Sequence, residues 1–336
     1  MATGLLEVSG TLDVNQFWPN GESDGDTAKV VVGAGAFRFR AKPNGKWKVT
    51  HAFDHAVVKR SLKSKSRKAA INARHQVTVR WQGIDAPELH YRPTPEKLTA
   101  RQNAALKKVN GNFRQLLGES ATVALARYLT KLGKNPIPVI VRTAVDEPSD
   151  VFDMYGRLIG DLYVTVKGKE VDLNHWMLQQ GWAFPTLYAS MSPDEIKDVL
   201  ALAGRAKARK AGLWKYASSA LKGFNAKLLF VKSGPFDAAK DVGPVIMPKQ
   251  FRRLSTYSVE KKAKIAKGTF LDFLKAHPDA CYETGDFLEQ GPTASTSRRL
   301  DEFVSGQSVF LVGAGELVFQ EAGAVTVGGN GEGARW

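Results

Sequence analysis

The chain has 336 residues, 43% hydrophobic content and a net charge of +15, which excludes a disordered chain and leads us to expect about two domains. Such a positive excess attracts polyanions through counterion release, so nucleic acid is the first partner to consider; an anionic membrane surface, or mere solubility, is the rival reading. No apolar run is long enough to span a bilayer, and a single cysteine, Cys281, excludes an intramolecular disulfide and a cysteine-rich zinc site.

Met1 to Gly10 lacks a basic head followed by an apolar core, so no secretory signal is recognisable and a reducing, cytoplasmic location is expected. Leu5 to Val32 alternates apolar and polar residues on both sides of Asn20-Gly-Glu-Ser-Asp-Gly-Asp26, which predicts two antiparallel strands. From about Gly33 to Ala73 a run rich in Lys59, Arg60, Lys63, Lys65, Arg67 and Lys68, with Phe37, Phe39 and Trp47 nearby, delays the next strand. It reads as a solvated basic loop or hairpin, or as aromatics and cations that track a single nucleic-acid strand.

Val77 to Trp81 predicts a short strand ending in Gly83-Ile-Asp-Ala-Pro-Glu88. Glu96 to Leu117 and Glu119 to Leu132 have helical spacing, broken at Gly118; Pro136 to Val145 and Leu158 to Val166 predict strands around the polar turn Asp150 to Gly156. Asp172 to Gln180 and Ser192 to Lys210 predict helices. Five strands mixed with helices in this order predict an α+β fold: a five-stranded, OB-fold-type Greek-key barrel carrying three or more helices. Beyond Tyr216 the texture changes. Leu221 to Phe270 is rich in bases and Leu271 to Trp336 in acids, Ser308 to Val312 and Glu316 to Phe319 suggest a terminal hairpin, and Gly328 to Ala334 suggests a frayed tail. The expected organisation is a domain over 1–216, with insertions at about 33–73 and 90–117, and a C-terminal α+β extension of unknown fold over 217–336.

Phosphodiester hydrolysis needs a positioned hydroxide, neutralised equatorial oxygens and a stabilised leaving oxygen, and a hard cation held by carboxylates supplies much of this. Asp24-Gly-Asp-Thr27 is a tight turn presenting two acids, while Asp85 and Glu88 lie at a strand end stiffened by Pro87. Each fragment alone has a plainer reading. Asp-Gly is a common turn, Asp85 with Glu88 suits a helix-capping box, and Arg80 and Arg157 suit surface ion pairs.

In combination, Asp24-Gly-Asp-Thr27, Val79-Arg-Trp-Gln-Gly-Ile-Asp-Ala-Pro-Glu88 and Asp153-Met-Tyr-Gly-Arg157 occur in an order that resembles the staphylococcal nuclease family. Asn174, Gln180-Gly-Trp-Ala183 and the closing Gly212-Leu-Trp214 extend the resemblance over about residues 5–216. It implies a metal-dependent endonuclease of low sequence specificity acting on DNA, RNA or both and leaving 3′-phosphate ends. By the same resemblance Asp26, Asp85 and the carbonyl of Ala86 ligate Ca²⁺, with Mg²⁺ as the alternative, while Asp24 acts through water and Thr27 supports the metal side. Glu88 is the general base or water-positioning acid, and Arg80 and Arg157 grip the scissile phosphate, for which guanidinium is better suited than lysine. The family has threonine in its best-known member where this chain has Ala86; only a main-chain carbonyl is needed there.

Tyr188 falls where the family places substrate-facing tyrosines, and Lys59, Arg60, Lys63 and Lys65 are further candidates for substrate contact. His51 and His55 bracket Asp54 but lack a third ligand, and His90 reads as a packed histidine or a substrate contact. Trp176, Trp182 and Trp214 read as core. The competing functional readings are a non-catalytic nucleic-acid-binding scaffold and a nuclease effector regulated by its C-terminal region or an inhibitor. In the latter, the acidic last part would cover a basic cleft.

Overall fold

The computed structural model describes residues 4–60, 65–95, 97–217, 223–232, 234–305, 310–321 and 325–327. Its centre is a closed barrel of five strands: β1 (Leu5–Leu12), β2 (Thr27–Arg40), β3 (Gln76–Trp81), β4 (Ile137–Ala144) and β5 (Leu158–Val166). Neighbours run β1-β4-β5-β3-β2, and β1 pairs with β2 to close the ring. All pairs are antiparallel except β3 with β5. The period-two burial of β4 and β5 turns Ile137, Val139, Val141, Leu158, Leu162 and Val164 inward, as a half-buried barrel wall requires. Closure relies on a register shift between Val8 and Gly10, where a side chain at Gly10 would lie 2.5 Å from Val30 Cγ1 and from the Val31 carbonyl. Around that bulge, long β2 pairs with β3 over Thr27–Val31 and with β1 from Val30 to Arg40.

Among the described residues, seven α-helices surround or extend the barrel: α1 (Ala100–Val109), α2 (Gly118–Thr130), α3 (Leu173–Gln179), α4 (Pro193–Ala208), α5 (Pro248–Lys262), α6 (Phe270–Ala276) and α7 (Thr284–Gln290). Asp172 caps α3 and a Ser192/Glu195 capping box starts α4, so both begin where the sequence predicts. Trp176 stacks on Tyr128, and Trp182 and Trp214 pack against the core, as expected.

Several expectations need correction. The helix read over Glu96 to Leu117 is confined to α1; beyond it the chain is extended, because Phe113 and Gln115 are buried and Phe113 bridges both Tyr91 and Leu229. Gly118 starts α2 rather than interrupting a helix, with Leu117 in the left-handed region at φ 68°. β2 continues to Arg40, past the predicted end at Val32. The basic stretch after it takes the hairpin form of the expected loop or hairpin, and it also joins the core and a further strand. Phe53 lies between Phe37 and Phe152 in the core, and Val57–Lys59 pairs with Lys68–Ala69 and Val325–Val327.

The expected terminal hairpin is absent among the described residues. Leu317–Phe319 instead pairs with Ala280–Glu283 and, in parallel, with Leu187–Tyr188 of the barrel region. Residues 306–309 and 328–336, parts of that hairpin and of the glycine-rich tail, lie outside the described residues. The C-terminal region builds a second core from Phe251, Leu254, Phe270, Phe273, Cys281 and Phe310, which Leu106 and Phe113 of the second insertion join. It is also fastened to the barrel region. The buried carboxylate of Asp241 accepts from the Leu117 and Ser120 amides at 2.9 and 2.7 Å, supplying the cap that α2 lacks in its own sequence. No helix among the described residues is long and apolar enough to cross a membrane.

Candidate active site

Two turns distant in sequence meet at one end of the barrel. Asp26 ends the Asp24-Gly-Asp turn just before β2, and Asp85 follows β3 in a two-residue strand, Ile84–Asp85, paired with Phe184–Pro185. Asp85 is therefore held by strand pairing rather than capping a helix. Gly25 allows the two turns to approach, since a side chain there would lie 3.0 Å from Met177 Cε and 3.2 Å from Ala86 Cβ. The Ala86 amide donates to Asp26 Oδ2 at 2.6 Å and Thr27 Oγ1 to Asp26 Oδ1 at 3.2 Å. The Leu89 amide donates to Asp24 Oδ1 at 3.1 Å.

Arg80 lies between the acids. Its Nη1 is 2.6 Å from Asp26 Oδ2 and its Nη2 2.7 Å from Asp85 Oδ1, and all three residues are at most 9% exposed. The register that pairs Arg80 with Thr27 puts the arginine beside Asp26. Glu88 stands at the edge of the cluster, its amide accepted by Gln115 Oε1 at 2.9 Å.

A residue that sequence reasoning missed completes the cluster. Arg252, on α5, donates through Nη1 to Asp85 Oδ1 at 3.1 Å and to Glu88 Oε1 at 2.5 Å, and through Nη2 to Asp85 Oδ2 at 2.8 Å. A base from the C-terminal region thus enters an acidic cluster. The available signal was helical spacing. Pro248, Ser255 and Val259 are buried on α5, and Arg252 lies on the same face at the i+4 and i−3 positions.

Electrostatics follow from burial and charge crowding. Burial pushes the Glu88 carboxyl up to about 7; Arg252 opposes this, while Asp24, Asp85 and Asp26 add to it. Burial likewise lifts Asp24 to about 6, against the pull of His90. At Asp85 burial is outweighed by Arg252 and Arg80, which hold the carboxyl below its ordinary range. Burial opposes charge on Arg80, yet Asp26 and Asp85 hold its guanidinium above its usual value.

Arg157 is placed differently. Asp153 grips it through Nε and Nη2, each 2.7 Å from Oδ2, so it contacts its own turn rather than the acidic cluster. Lys68 lies beside that turn, with Nζ 3.3 Å from the Tyr155 carbonyl. Tyr188 is in the strand paired with Leu317–Phe319, and Arg80, Asp85 and Arg252 are among the charges acting on its hydroxyl. Lys59 is in the small sheet of the first insertion, and Arg60 and Lys65 are exposed in the same stretch; Lys63 lies outside the described residues. His90 is packed edge-on to Phe230 with Nε2 2.6 Å from the Glu22 carbonyl. His51 pairs with Asp54 at 3.0 Å.

Asp24, Asp26, Asp85 and Glu88 together oppose Arg80 and Arg252. Four carboxyl groups against two guanidiniums present oxygen donors only, a set whose chemistry fits a hard divalent cation such as Ca²⁺ or Mg²⁺. Among the described residues no three His, Cys, Asp or Glu side chains form a ready-made cage; the oxygens of Asp26 and Asp85 are turned onto guanidiniums instead.

Residues 78–216, from within β3 to just past α4, match the family model described as staphylococcal nuclease homologue. This stretch is similar to a staphylococcal nuclease homologue domain. The match takes in Arg80, Asp85, Ala86, Glu88, Arg157 and Tyr188 and includes the second insertion; Asp24, Asp26 and Thr27 precede it and are brought to the nuclease-homologue site by β2. No curated protein matches the chain.

Proposed function

We propose that the chain is a divalent-cation-dependent endonuclease that hydrolyses phosphodiester bonds of DNA, RNA or both with little sequence preference, leaving 3′-phosphate and 5′-hydroxyl ends. The observation that carries this reading is the buried cluster in which Arg80 spans Asp26 and Asp85, at a stretch similar to a staphylococcal nuclease homologue domain.

Asp26, Asp85 and the Ala86 carbonyl are the groups that would hold the cation, Ca²⁺ or Mg²⁺, with Asp24 acting through water and Thr27 steadying Asp26. When bound, the cation supplies charge neutralisation at the phosphate and acidifies water. Glu88 orients the attacking water and accepts its proton, a role suited to a carboxyl raised to about 7. Arg80 and Arg157 grip the phosphate oxygens with permanently charged, planar donors. Tyr188 borders the site, and Lys68, beside Arg157, extends positive charge toward the exposed Arg60 and Lys65 of the first insertion. Contacts of this kind go to phosphates, which carry no base information, hence the low sequence preference. The lone cysteine has no disulfide partner, which suits a cytoplasmic setting.

The direct test is degradation of plasmid and of single-stranded oligonucleotides with Ca²⁺ or Mg²⁺ and with a chelator. Cation-dependent cleavage with products that are substrates for 5′-end phosphorylation without prior phosphatase treatment supports the proposal. Nucleic acid bound but left intact under every cation would make the chain a binding scaffold instead.

A further inference from the structure

Arg252 takes up the carboxylate oxygens on which the nuclease reading depends. It reaches both oxygens of Asp85 and one of Glu88, so a single side chain engages a proposed cation ligand and the proposed water-positioning acid together. The helix carrying it is firmly seated. Gln115 receives the Glu88 amide and donates through Nε2 to the Ile246 carbonyl at 2.9 Å, tying the acidic turn to the entry of α5. One turn beyond Arg252, Thr256 Oγ1 is 3.0 Å from the Tyr91 hydroxyl. Arg253 and Lys249, on the neighbouring faces of α5, are both held by Asp279. The long Arg252 side chain itself is 28% exposed, against 11% for Arg80. The backbone is pinned while the side chain keeps partial contact with solvent.

We propose that Arg252 is an intramolecular gate on the acidic cluster: its guanidinium competes with a divalent cation for Asp85 and swings outward when the cation binds, uncovering Glu88 at the same time. The inference rests on the nuclease reading of the cluster and adds to it a control supplied by the C-terminal region. Charge makes the competition direct. A cation approaching Asp85 meets a bidentate, charge-assisted pair at the oxygens it needs, and the incoming positive charge repels the guanidinium already there. The movement required is a change of side-chain rotamers, with α5 remaining in place.

The experiment is calorimetric titration of Ca²⁺ alone into the full-length wild type, Arg252→Met and Arg253→Met. The second variant removes an adjacent charge that touches Asp279 rather than the cluster. Loss of the competing hydrogen bonds is expected to tighten Ca²⁺ binding at least about tenfold in Arg252→Met, with Arg253→Met close to wild type. Binding to Arg252→Met no tighter than to wild type overturns the gate. A second measurement needs no variant and decides the matter should Arg252→Met fail to fold. Modification of Arg252 by phenylglyoxal, followed by mass spectrometry of its peptide, is expected to rise when wild type is saturated with Ca²⁺; unchanged protection overturns the gate. Cleavage assays on the same samples separate the two readings. Tighter Ca²⁺ binding by Arg252→Met with no cleavage by any form under Ca²⁺ or Mg²⁺ removes the nuclease reading and leaves the gate, cleavage by wild type without the Arg252 effects removes the gate alone, and absence of both Ca²⁺ binding and cleavage under either cation in every form removes both.

Discussion

Arg80 sits where two buried carboxylates would otherwise repel each other, so its side chain supports the fold of the candidate site. The roles proposed for Glu88 and Arg157 are separable from that support, because neither joins Asp26 to Asp85. Glu88→Gln keeps the shape of the side chain and removes the base, and a loss of cleavage rate of about 10²–10⁴ is expected. Arg157→Ala removes a donor to the phosphate, with an expected loss of about 10²–10³. Steady-state cleavage of a short oligonucleotide measures both, and near-wild-type rates in either variant would remove that residue from the mechanism. Asp161 tests electrostatics away from the site. Burial, with Asp172 and Glu195 adding to it, lifts its carboxyl well above the ordinary range, while Asn174 Nδ2 donates to Asp161 Oδ1 at 2.8 Å. The folded state thus prefers the protonated form. The stabilisation this confers is complete below the unfolded carboxylate pKa and is lost as pH rises through the raised folded value. Asp161→Asn keeps an acceptor and cannot ionise, so its stability relative to wild type is expected to improve between weakly acidic and neutral pH. Urea denaturation at several pH values would show parallel curves if this is incorrect.

At the scale of elements, α2 shows how the C-terminal region enters the barrel's own architecture. Leu117, in a left-handed conformation, offers no side-chain cap, and Asp241 takes that role across a long sequence separation while also pairing with Arg114 at 3.0 Å and accepting from the Ser120 hydroxyl at 2.7 Å. Asp241→Ala leaves helix amides without a partner in a buried place and leaves the Arg114 guanidinium only Glu119, at 3.3 Å. The expected loss is about 2 kcal/mol or more, read from the urea midpoint with an unchanged slope; a loss below about 0.5 kcal/mol would mean that water or another acceptor replaces it. Helix starts show the contrast between local and remote capping. The Asp172 cap and the Ser192/Glu195 box lie next to the helices they begin, so α3 and α4 were legible from spacing and caps. The end of α1 and the beginning of α2 were not, because the burial of Phe113 and Gln115 and the approach of Asp241 are tertiary events.

For the whole molecule, the charge asymmetry between the basic and acidic parts of the C-terminal region was visible, but its use was not. The two parts bind each other, as Arg253 and Lys249 on α5 do with Asp279. A chain ending at Tyr216 would lose the strand partner of Leu187–Tyr188, the cap of α2 and the counter-charge of Glu88 together. Such a fragment is expected to unfold at lower urea concentration than the full chain, with a broadened transition, as followed by circular dichroism. A fragment with undiminished stability would show that the region is merely appended.

Within a strand or a helix, side-chain alternation and capping chemistry are local properties, so the sequence alone determined the five barrel strands, α3, α4 and the Asp24-Gly-Asp, Asp85-Ala-Pro-Glu and Asp153 to Arg157 turns. Their order also implied a staphylococcal nuclease homologue, and residues 78–216 match that family. Only the tertiary structure decided that Arg80 spans Asp26 and Asp85, that Arg157 is held by Asp153, and that Arg252 enters the cluster. Nothing in local spacing records which distant charge will neutralise a buried carboxylate: the fold of the intervening chain brings the partners together, and the energetic cost of leaving them unpaired keeps them there.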